Sequence, residues 1–186
     1  IRNSFFSNNF KGDDFVNFFR CKNVSLENLK FSNVLSDAID SDFSEISLKN
    51  SSFFDVGNDA VDASGGKLLV ENCTFNKVQD KAISAGEGSS ISSVNNRISN
   101  SALGIVVKDG SELISNKDSL IDNQLDLVMF VKKPFYGYPR FTSNNSGIKS
   151  NLIEKGSKIN NFNLKINYQK DIESLLYGAV YGKSSK

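Results

Sequence analysis

Residues 36–64, SDAIDSDFSEISLKNSSFFDVGNDAVDAS, decide the fold because they contain one repeating unit and the start of the next. The pentapeptide SDAID at 36–40 returns as NDAVD at 58–62, a spacing of 22 residues. Outward from this stretch, aliphatic residues continue the column at nearly the same spacing: Val16, Ile39, Val61, Ile83, Ile105 and Leu127. Self-similarity of this period is typical of solenoids, in which each unit buries its apolar side against its neighbours.

Two further apolar columns run through the same repeat. The second contains Val24, Ile46, Leu68, Ile91, Leu113 and Phe141, and the third contains Phe31, Phe53, Phe75, Ile98, Leu120 and Ile148. Turn residues such as Gly65-Gly66 and Asp109-Gly110 separate them. Three short strands per unit predict an all-β fold, a right-handed parallel β-helix solenoid of about seven coils over residues 1–160.

A column of asparagines accompanies the strands, at Asn28, Asn50, Asn72 and Asn95. Asparagine tolerates tight-turn dihedrals and stacked amides can hydrogen-bond, so we interpret this column as structural. The leucine-rich repeat has an overlapping period, but it needs a Leu-dense consensus and usually a helical return, which this sequence lacks.

Two segments depart from the repeat. Both prolines lie at 131–140, where about six extra residues enter the period, so we predict a loop that leaves the stack. In the final segment, 161–186, we expect a terminal strand and a capping helix. Apolar residues at helical spacing predict an amphipathic helix at 171–181, with Asp171 as its N-cap, that covers the exposed last coil.

Composition excludes several classes of protein. The net charge of +1 argues against nucleic acid as a partner, and no apolar run is long enough to span a membrane. No histidine is present, which removes Ser-His-Asp triads and typical zinc sites. Cys21 and Cys73 fall more than two coils apart, too far for a disulfide, and we expect two buried thiols. The chain shows no signal peptide and opens within a repeat, so we expect upstream domains in a longer protein.

The segments 36–64, DKAISAGEGSSI at 80–91, GIVVKDGS at 104–111 and VKKPFYG at 131–137 resemble the parallel β-helix repeats of the pectate-lyase-like, carbohydrate-binding and sugar-hydrolase superfamily. They are also similar to β-helix segments of bacterial surface proteins that carry spore-coat-kinase-like (CotH-type) or lamin-tail modules. The resemblance implies a polysaccharide context and an extracellular or cell-surface location. The chain departs from catalytic members because it lacks an epimerase-type motif with His beside Asp and a recognisable lyase Lys/Arg site.

An acidic cluster is the first candidate site. If Ile39 and Val61 point inward, strand alternation turns Asp40 and Asp62 outward, with Asp37 and Asp59 stacked at the preceding turn. Four such carboxylates could bind calcium, the one cofactor that we consider. Alternatively, Asp40, Asp62 and Lys81 could act as catalytic groups on a glycoside, with one carboxyl pKa raised by its neighbour. The structural alternative is a set of solvated charges, in which Lys81 neutralises Asp59.

The loop provides the second candidate site, for an acidic glycan. Cations flank aromatic rings there, and both suit such a substrate: Lys132, Lys133, Phe135, Tyr136, Tyr138 and Arg140. The alternative is that the rings fold back over the solenoid. Three functions stay open. The first is a polysaccharide-interacting β-helix module of a bacterial surface or secreted protein that is not clearly catalytic, the second is a lyase, hydrolase or epimerase of acidic polysaccharides, and the third is a structural spacer.

Overall fold

The structure, a computed structural model, describes residues 1–145, 147–160 and 164–178. The chain is a parallel β-solenoid of about seven coils, as the repeat predicts. Each complete coil contributes three short strands, and the turns between them are two to four residues long except for the loop 131–139. Among the described helices, none is long and apolar enough to cross a membrane.

The strands follow one another in the order of the coils. The first three coils contain β1 (Phe5–Asn9), β2 (Asp14–Phe19), β3 (Val24–Glu27), β4 (Lys30–Val34), β5 (Asp37–Asp42), β6 (Glu45–Lys49), β7 (Ser52–Val56), β8 (Val61–Ser64) and β9 (Lys67–Glu71). The next three contain β10 (Thr74–Val78), β11 (Lys81–Gly86), β12 (Ser90–Val94), β13 (Arg97–Ser99), β14 (Leu103–Lys108), β15 (Glu112–Asn116), β16 (Ser119–Ile121), β17 (Leu125–Phe130) and β18 (Arg140–Ser143). The last described elements are β19 (Asn151–Glu154), β20 (Lys158–Asn160), β21 (Tyr168–Gln169) and α1 (Ile172–Tyr177).

Equivalent strands pair in parallel and form three sheets along the solenoid. Sheet 1 has the order β1-β4-β7-β10-β13-β16, sheet 2 the order β2-β5-β8-β11-β14-β17-β19-β21, and sheet 3 the order β3-β6-β9-β12-β15-β18-β20. The pairing register places Ile39 beside Val61 and Val61 beside Ile83, which confirms the first predicted column. The second column is confirmed as far as Phe141. Ile148 lies outside the strands of sheet 1 and packs against the core from the side.

Stacked phenylalanines fill the interior behind sheet 1. The ring centroids of Phe6 and Phe31 lie 4.7 Å apart, those of Phe31 and Phe53 lie 5.0 Å apart, and those of Phe53 and Phe75 lie 4.8 Å apart, with the planes within 9° of parallel. This spacing equals the distance between neighbouring strands, about 4.8 Å. Strand pairing therefore sets the ring stacking.

The asparagine column forms the corner between sheets 3 and 1. Its four members adopt the left-handed conformation, with φ between 50° and 55°. Their amides bond along the column, as in the 2.6 Å contacts from Asn95 Nδ2 to Asn72 Oδ1 and from Asn28 Nδ2 to Asn3 Oδ1. The structural interpretation is confirmed.

The C-terminal helix is present but lies on the side of the solenoid. Asp171 caps it by accepting a hydrogen bond from the Ser174 amide at 3.2 Å. Its buried residues Ile172 and Leu176 pack on the outer surface of sheet 2, whereas Leu164 and Ile166 contact the core at the last coil. The helix lies there, and not over the last coil, because the outer surface of β14, β17 and β19 is apolar and is buried by Ile172 and Leu176. Positions 179–181 of the predicted helix lie outside the described residues.

Two smaller expectations are corrected. The predicted loop 131–140 contains a 3₁₀ turn at Pro134–Tyr136, but Arg140 belongs to β18, because its amide bonds to the Ser111 carbonyl and continues sheet 3. Cys73 is a buried free thiol, whereas the free thiol of Cys21 is only half-buried. Burial raises the pKa of Cys73 to about 11.

Truncating the phenylalanine stack tests the fold. We expect Phe53→Ala to lower the free energy of unfolding by about 3–5 kcal/mol, because Phe53 is 1% exposed and its ring contacts rings on both sides. Phe54→Ala is the matched control, since the neighbouring ring points outward and is 46% exposed. Denaturant unfolding monitored by circular dichroism measures both changes. Equal losses in the two variants would contradict the stack.

Candidate functional site

The outer surface of sheet 2 changes from acidic to apolar along the solenoid. Three columns of side chains point outward from this sheet. On β2, β5 and β8, and at the turn before β8, they form the acidic face: Asp14, Asn17, Asp37, Asp40, Asp42, Asp59 and Asp62. On β14, β17 and β19 the same columns hold Leu103, Val106, Leu125, Val128, Phe130 and Leu152, which pack under α1. The predicted stacking of Asp40 and Asp62 is present in the strand register.

The first column of the acidic face is structural. Asp37 Oδ1 accepts hydrogen bonds from the Asn58 side chain at 2.5 Å and from the Asp59 amide at 2.9 Å. Asp59 Oδ1 accepts in the same way from the Lys81 amide at 3.1 Å. Each of these carboxylates therefore accepts a hydrogen bond from the turn of the next coil, and both oxygens of Asp59 are bonded because Lys81 Nζ also donates to them.

Lys81 lies buried between two carboxylates. Its Nζ atom is 3.1 Å from Asp59 Oδ1 and 2.8 Å from Asp80 Oδ2, and its side chain is 6% exposed. Burial lowers the pKa of the Lys81 ammonium, but the two carboxylates more than compensate, so this pKa lies well above its ordinary value. The predicted neutralisation of Asp59 is confirmed. A permanently charged, sequestered amine cannot serve as a general base.

Lys108 reaches back from β14 to the acidic face. Its Nζ atom lies 3.9 Å from Asp62 Oδ1, and its chain crosses Gly86, where an added Cβ would approach the Lys108 Cε atom to 2.7 Å. Burial raises the pKa of Asp62, but the ammonium groups of Lys108 and Lys81 more than offset this effect and hold that pKa below its ordinary value. Asp62 is therefore ionised near neutral pH.

Asp40 has the opposite electrostatic environment. Among the described residues, its only side-chain hydrogen bond is with Asn17, whose Nδ2 atom donates to Asp40 Oδ2 at 2.6 Å. Burial, followed by repulsion from Asp42 and Asp62, raises the pKa of Asp40 to about 7. Adjacent coils thus present one carboxyl group that holds a proton into the neutral range and one that does not.

The calcium hypothesis gains no support from the geometry. Within residues 1–145, 147–160 and 164–178, no group of three or more His, Cys, Asp or Glu side chains is arranged to hold a metal ion. Asp37 and Asp59 accept hydrogen bonds from the turn of the next coil, and Asp62 lies near the Lys108 ammonium.

The six loop residues do not form one surface. Lys133 pairs with Glu87, Arg140 lies 2.6 Å from Glu112 on sheet 3, and the Lys132 ammonium lies 5.0 Å from the ring centre of Tyr177. The main chain at Tyr136 packs against Gly110, and the Tyr138 ring lies against Gly156. Phe135 alone among the six is strongly exposed, at 80%. Tyr136 and Tyr138 therefore contact the solenoid, as in the structural alternative, whereas the Phe135 ring does not fold back.

Two residues of the site were missed from the sequence. Asn17 follows Val16, which the repeat aligns with Ile39, so the same alignment could have placed Asn17 beside Asp40. Tyr177 lies outside the repeat, and its half-buried ring comes to the site only because α1 folds back over sheet 2. Burial raises the pKa of Tyr177, an effect that the nearby Lys81 and Lys108 ammonium groups oppose.

Removing the Lys81 ammonium tests the buried network. We expect Lys81→Met to lower the free energy of unfolding at pH 7 by about 3–5 kcal/mol, because two buried carboxylates lose their counter-charge. Lys49→Met removes the same group from an exposed pair with Glu71 and should have little effect. Urea unfolding compares the variants, and similar losses would show that the buried network contributes no more than a surface pair.

The pKa of Asp40 predicts a pH-dependent stability. Because this pKa lies above the ordinary value of 3.8, the folded chain holds an extra proton between pH 3.8 and about 7. That stabilising contribution is present at low pH and is lost as the pH rises through about 7. We expect the Tm of Asp40→Asn to be higher than that of the parent at pH 8. The difference in Tm between the two proteins should become smaller towards pH 4.

Calorimetric Tm values from pH 4 to 8 measure this gap. Asp122→Asn is the matched control, since it removes an exposed carboxylate far from the acidic face and should give no pH-dependent difference. A gap for Asp40→Asn that stays constant with pH would contradict the prediction.

The comparisons with known proteins agree with this architecture. A family model described as the right-handed β-helix region matches residues 1–153. Searches of curated proteins and of solved structures returned no significant match. The matched segment includes every strand from β1 to β18 and the whole acidic face. The chain therefore belongs to the right-handed β-helix family.

Proposed function

We propose that this chain is a β-helix module of a bacterial surface or secreted protein and that it binds a polysaccharide along the acidic face. The observation that supports the proposal is the arrangement of Asp40, Asp42 and Asn17 on neighbouring strands. Exposed aromatic rings border them, since Phe19 pairs with Asp42 in the register and Phe43 follows it directly. The location outside the cell and the attachment to further domains rest on the family resemblance.

The chemistry of the face favours a neutral glycan. Carboxylate and amide oxygens accept hydrogen bonds from sugar hydroxyls, and phenylalanine rings contact the apolar faces of sugar rings. A uronic-acid polymer would meet repulsion, because Lys81 and Lys108 are already paired with aspartates. Within the proposal, a neutral chain therefore fits better than the acidic one that the resemblance implies.

One observation favours a second function, glycoside hydrolysis. A pKa of about 7 suits Asp40 as a general acid, and the lowered pKa of Asp62 suits a nucleophile or base. The backbones of these neighbouring strands are about 4.8 Å apart, and retaining glycosidases place their carboxyl groups about 5–5.5 Å apart. Lys81 would have no part in this reaction, because its ammonium stays paired.

Binding to a panel of hexasaccharides tests both functions. We expect calorimetry to detect maltohexaose, cellohexaose or chitohexaose but not hexagalacturonate, and we expect Asp40→Asn with Asp62→Asn to weaken binding about tenfold or more. Glu112→Gln, at an exposed position of β15 on sheet 3, is the control and should leave binding unchanged. New reducing ends that disappear in Asp40→Asn would establish hydrolysis. Absence of binding across the panel would contradict the proposal and favour a structural spacer.

A further inference from the structure

A second concave surface lies around the corner from the acidic face, between sheets 1 and 2. Two openings of about 540 and 510 Å³ share Asp55 and Gln79 and so form one continuous groove, here called the corner groove. It runs along the solenoid from Asn33 to Asp122, four coil steps or about 19 Å. None of its lining residues belongs to the acidic face.

One wall of the corner groove is a column of residues in the left-handed conformation. They are Asn33, Asp55, Lys77, Asn100 and Asp122, with φ between 53° and 59°. The opposite wall contains Leu35, Gly57, Gln79 and Gln124. Gly57 leaves a notch in this wall, because an added Cβ would lie 2.1 Å from the Leu35 carbonyl oxygen, so only glycine fits there.

The coil has left-handed residues at three corners, and two of these corners differ in how their side chains are used. At the corner between sheets 3 and 1, the asparagine amides bond to one another. At the corner groove, no side-chain hydrogen bond joins Gln79, Asn100 or Gln124 to any residue in the described ranges, and the same holds for the carboxylates of Asp55 and Asp122. The first column therefore contains amide pairs that are satisfied internally. In the second column Asn33 also bonds in this way, since its Nδ2 atom donates to Asn8 Oδ1 at 3.3 Å, but the five side chains named above present donors and acceptors to the groove.

The main chain limits what the groove can recognise. The amides of Leu35, Gly57 and Gln79 all donate to carbonyls of the preceding coil, at 2.8 to 3.0 Å. These groups point along the solenoid, so an extended peptide finds no strand edge to pair with. Recognition must come from side chains, which are amides, carboxylates and the Lys77 ammonium beside apolar surface from the exposed Phe10 and Leu35.

We propose that the corner groove binds a linear, uncharged oligosaccharide. Amide groups both donate to and accept from sugar hydroxyls, and the apolar lining suits the C–H faces of the rings. The groove is long enough for several sugar units and too open to enclose a small molecule. The ligand class rests on the proposed function, but the residues are separate, so either site can fail without the other.

Side-chain amide signals in NMR spectra of the ¹⁵N-labelled chain distinguish the two sites. On titration with maltohexaose or cellohexaose, we expect the signals of Gln79, Asn100 and Gln124 to shift, while those of Asn72 and Asn95 stay fixed. Asn17 reports on the acidic face in the same spectra. Shifts at Asn17 alone would overturn the corner groove and leave the proposed function standing. Shifts at Gln79, Asn100 and Gln124 alone would support the corner groove and overturn binding at the acidic face. The absence of shifts at all four residues would overturn both proposals.

A double variant completes the test. We expect Gln79→Ala with Gln124→Ala to weaken groove binding about tenfold, because two hydrogen-bonding side chains are lost. Gln169→Ala, on β21 and outside the groove, is the matched control and should bind like the parent. The backbone amide spectrum shows whether each variant keeps its fold. A folded double variant that binds as tightly as the parent would overturn the proposal.

Discussion

The parallel hydrogen-bond ladder between coils is the constraint on which the rest of this structure depends. It places each residue directly beside its equivalent one coil away, at about 4.8 Å, so every side-chain type is repeated in a column. For Phe31, Phe53 and Phe75 the repetition gives stacked rings. For aspartates the same repetition brings like charges together, which raises the energy of the ionised face. The acidic face therefore needs compensation that the phenylalanine column does not.

Three different means provide that compensation. Asp37 and Asp59 bind main-chain amides of the next coil, Asp62 faces a lysine, and Asp40 keeps a proton into the neutral range. These solutions give chemically identical groups in two neighbouring columns distinct electrostatic environments. A repeat that looks uniform in the sequence is thus not uniform in its chemistry, which is why a binding or catalytic role is argued for particular carboxyl groups and not for the face as a whole.

The repeat spacing predicted the features that strand pairing between coils controls, and it predicted few others. The inward columns, the outward direction of Asp40 and Asp62 and the asparagine corner all follow from a period of 22 residues. The period does not predict the path of the Lys108 side chain over Gly86. It also does not predict that α1 lies on the outer surface of sheet 2. Long side chains can reach a neighbouring coil, and segments outside the repeat are placed by whichever apolar surface is left uncovered. Arg140 shows the same limit, because the length of an inserted loop does not reveal where pairing resumes.

The lysines whose side chains extend to an earlier coil also limit how such a solenoid can be lengthened by duplication of its repeats. Lys81 and Lys108 each neutralise an aspartate one or two coils earlier, so they mark the boundary at which the acidic surface ends. Tandem duplication of the 36–57 unit would lengthen the solenoid and keep its register, yet it would add three aspartates at the face without a lysine to meet them. A lineage could therefore extend the apolar interior by simple copying, whereas the charged surface could be extended only together with new basic residues.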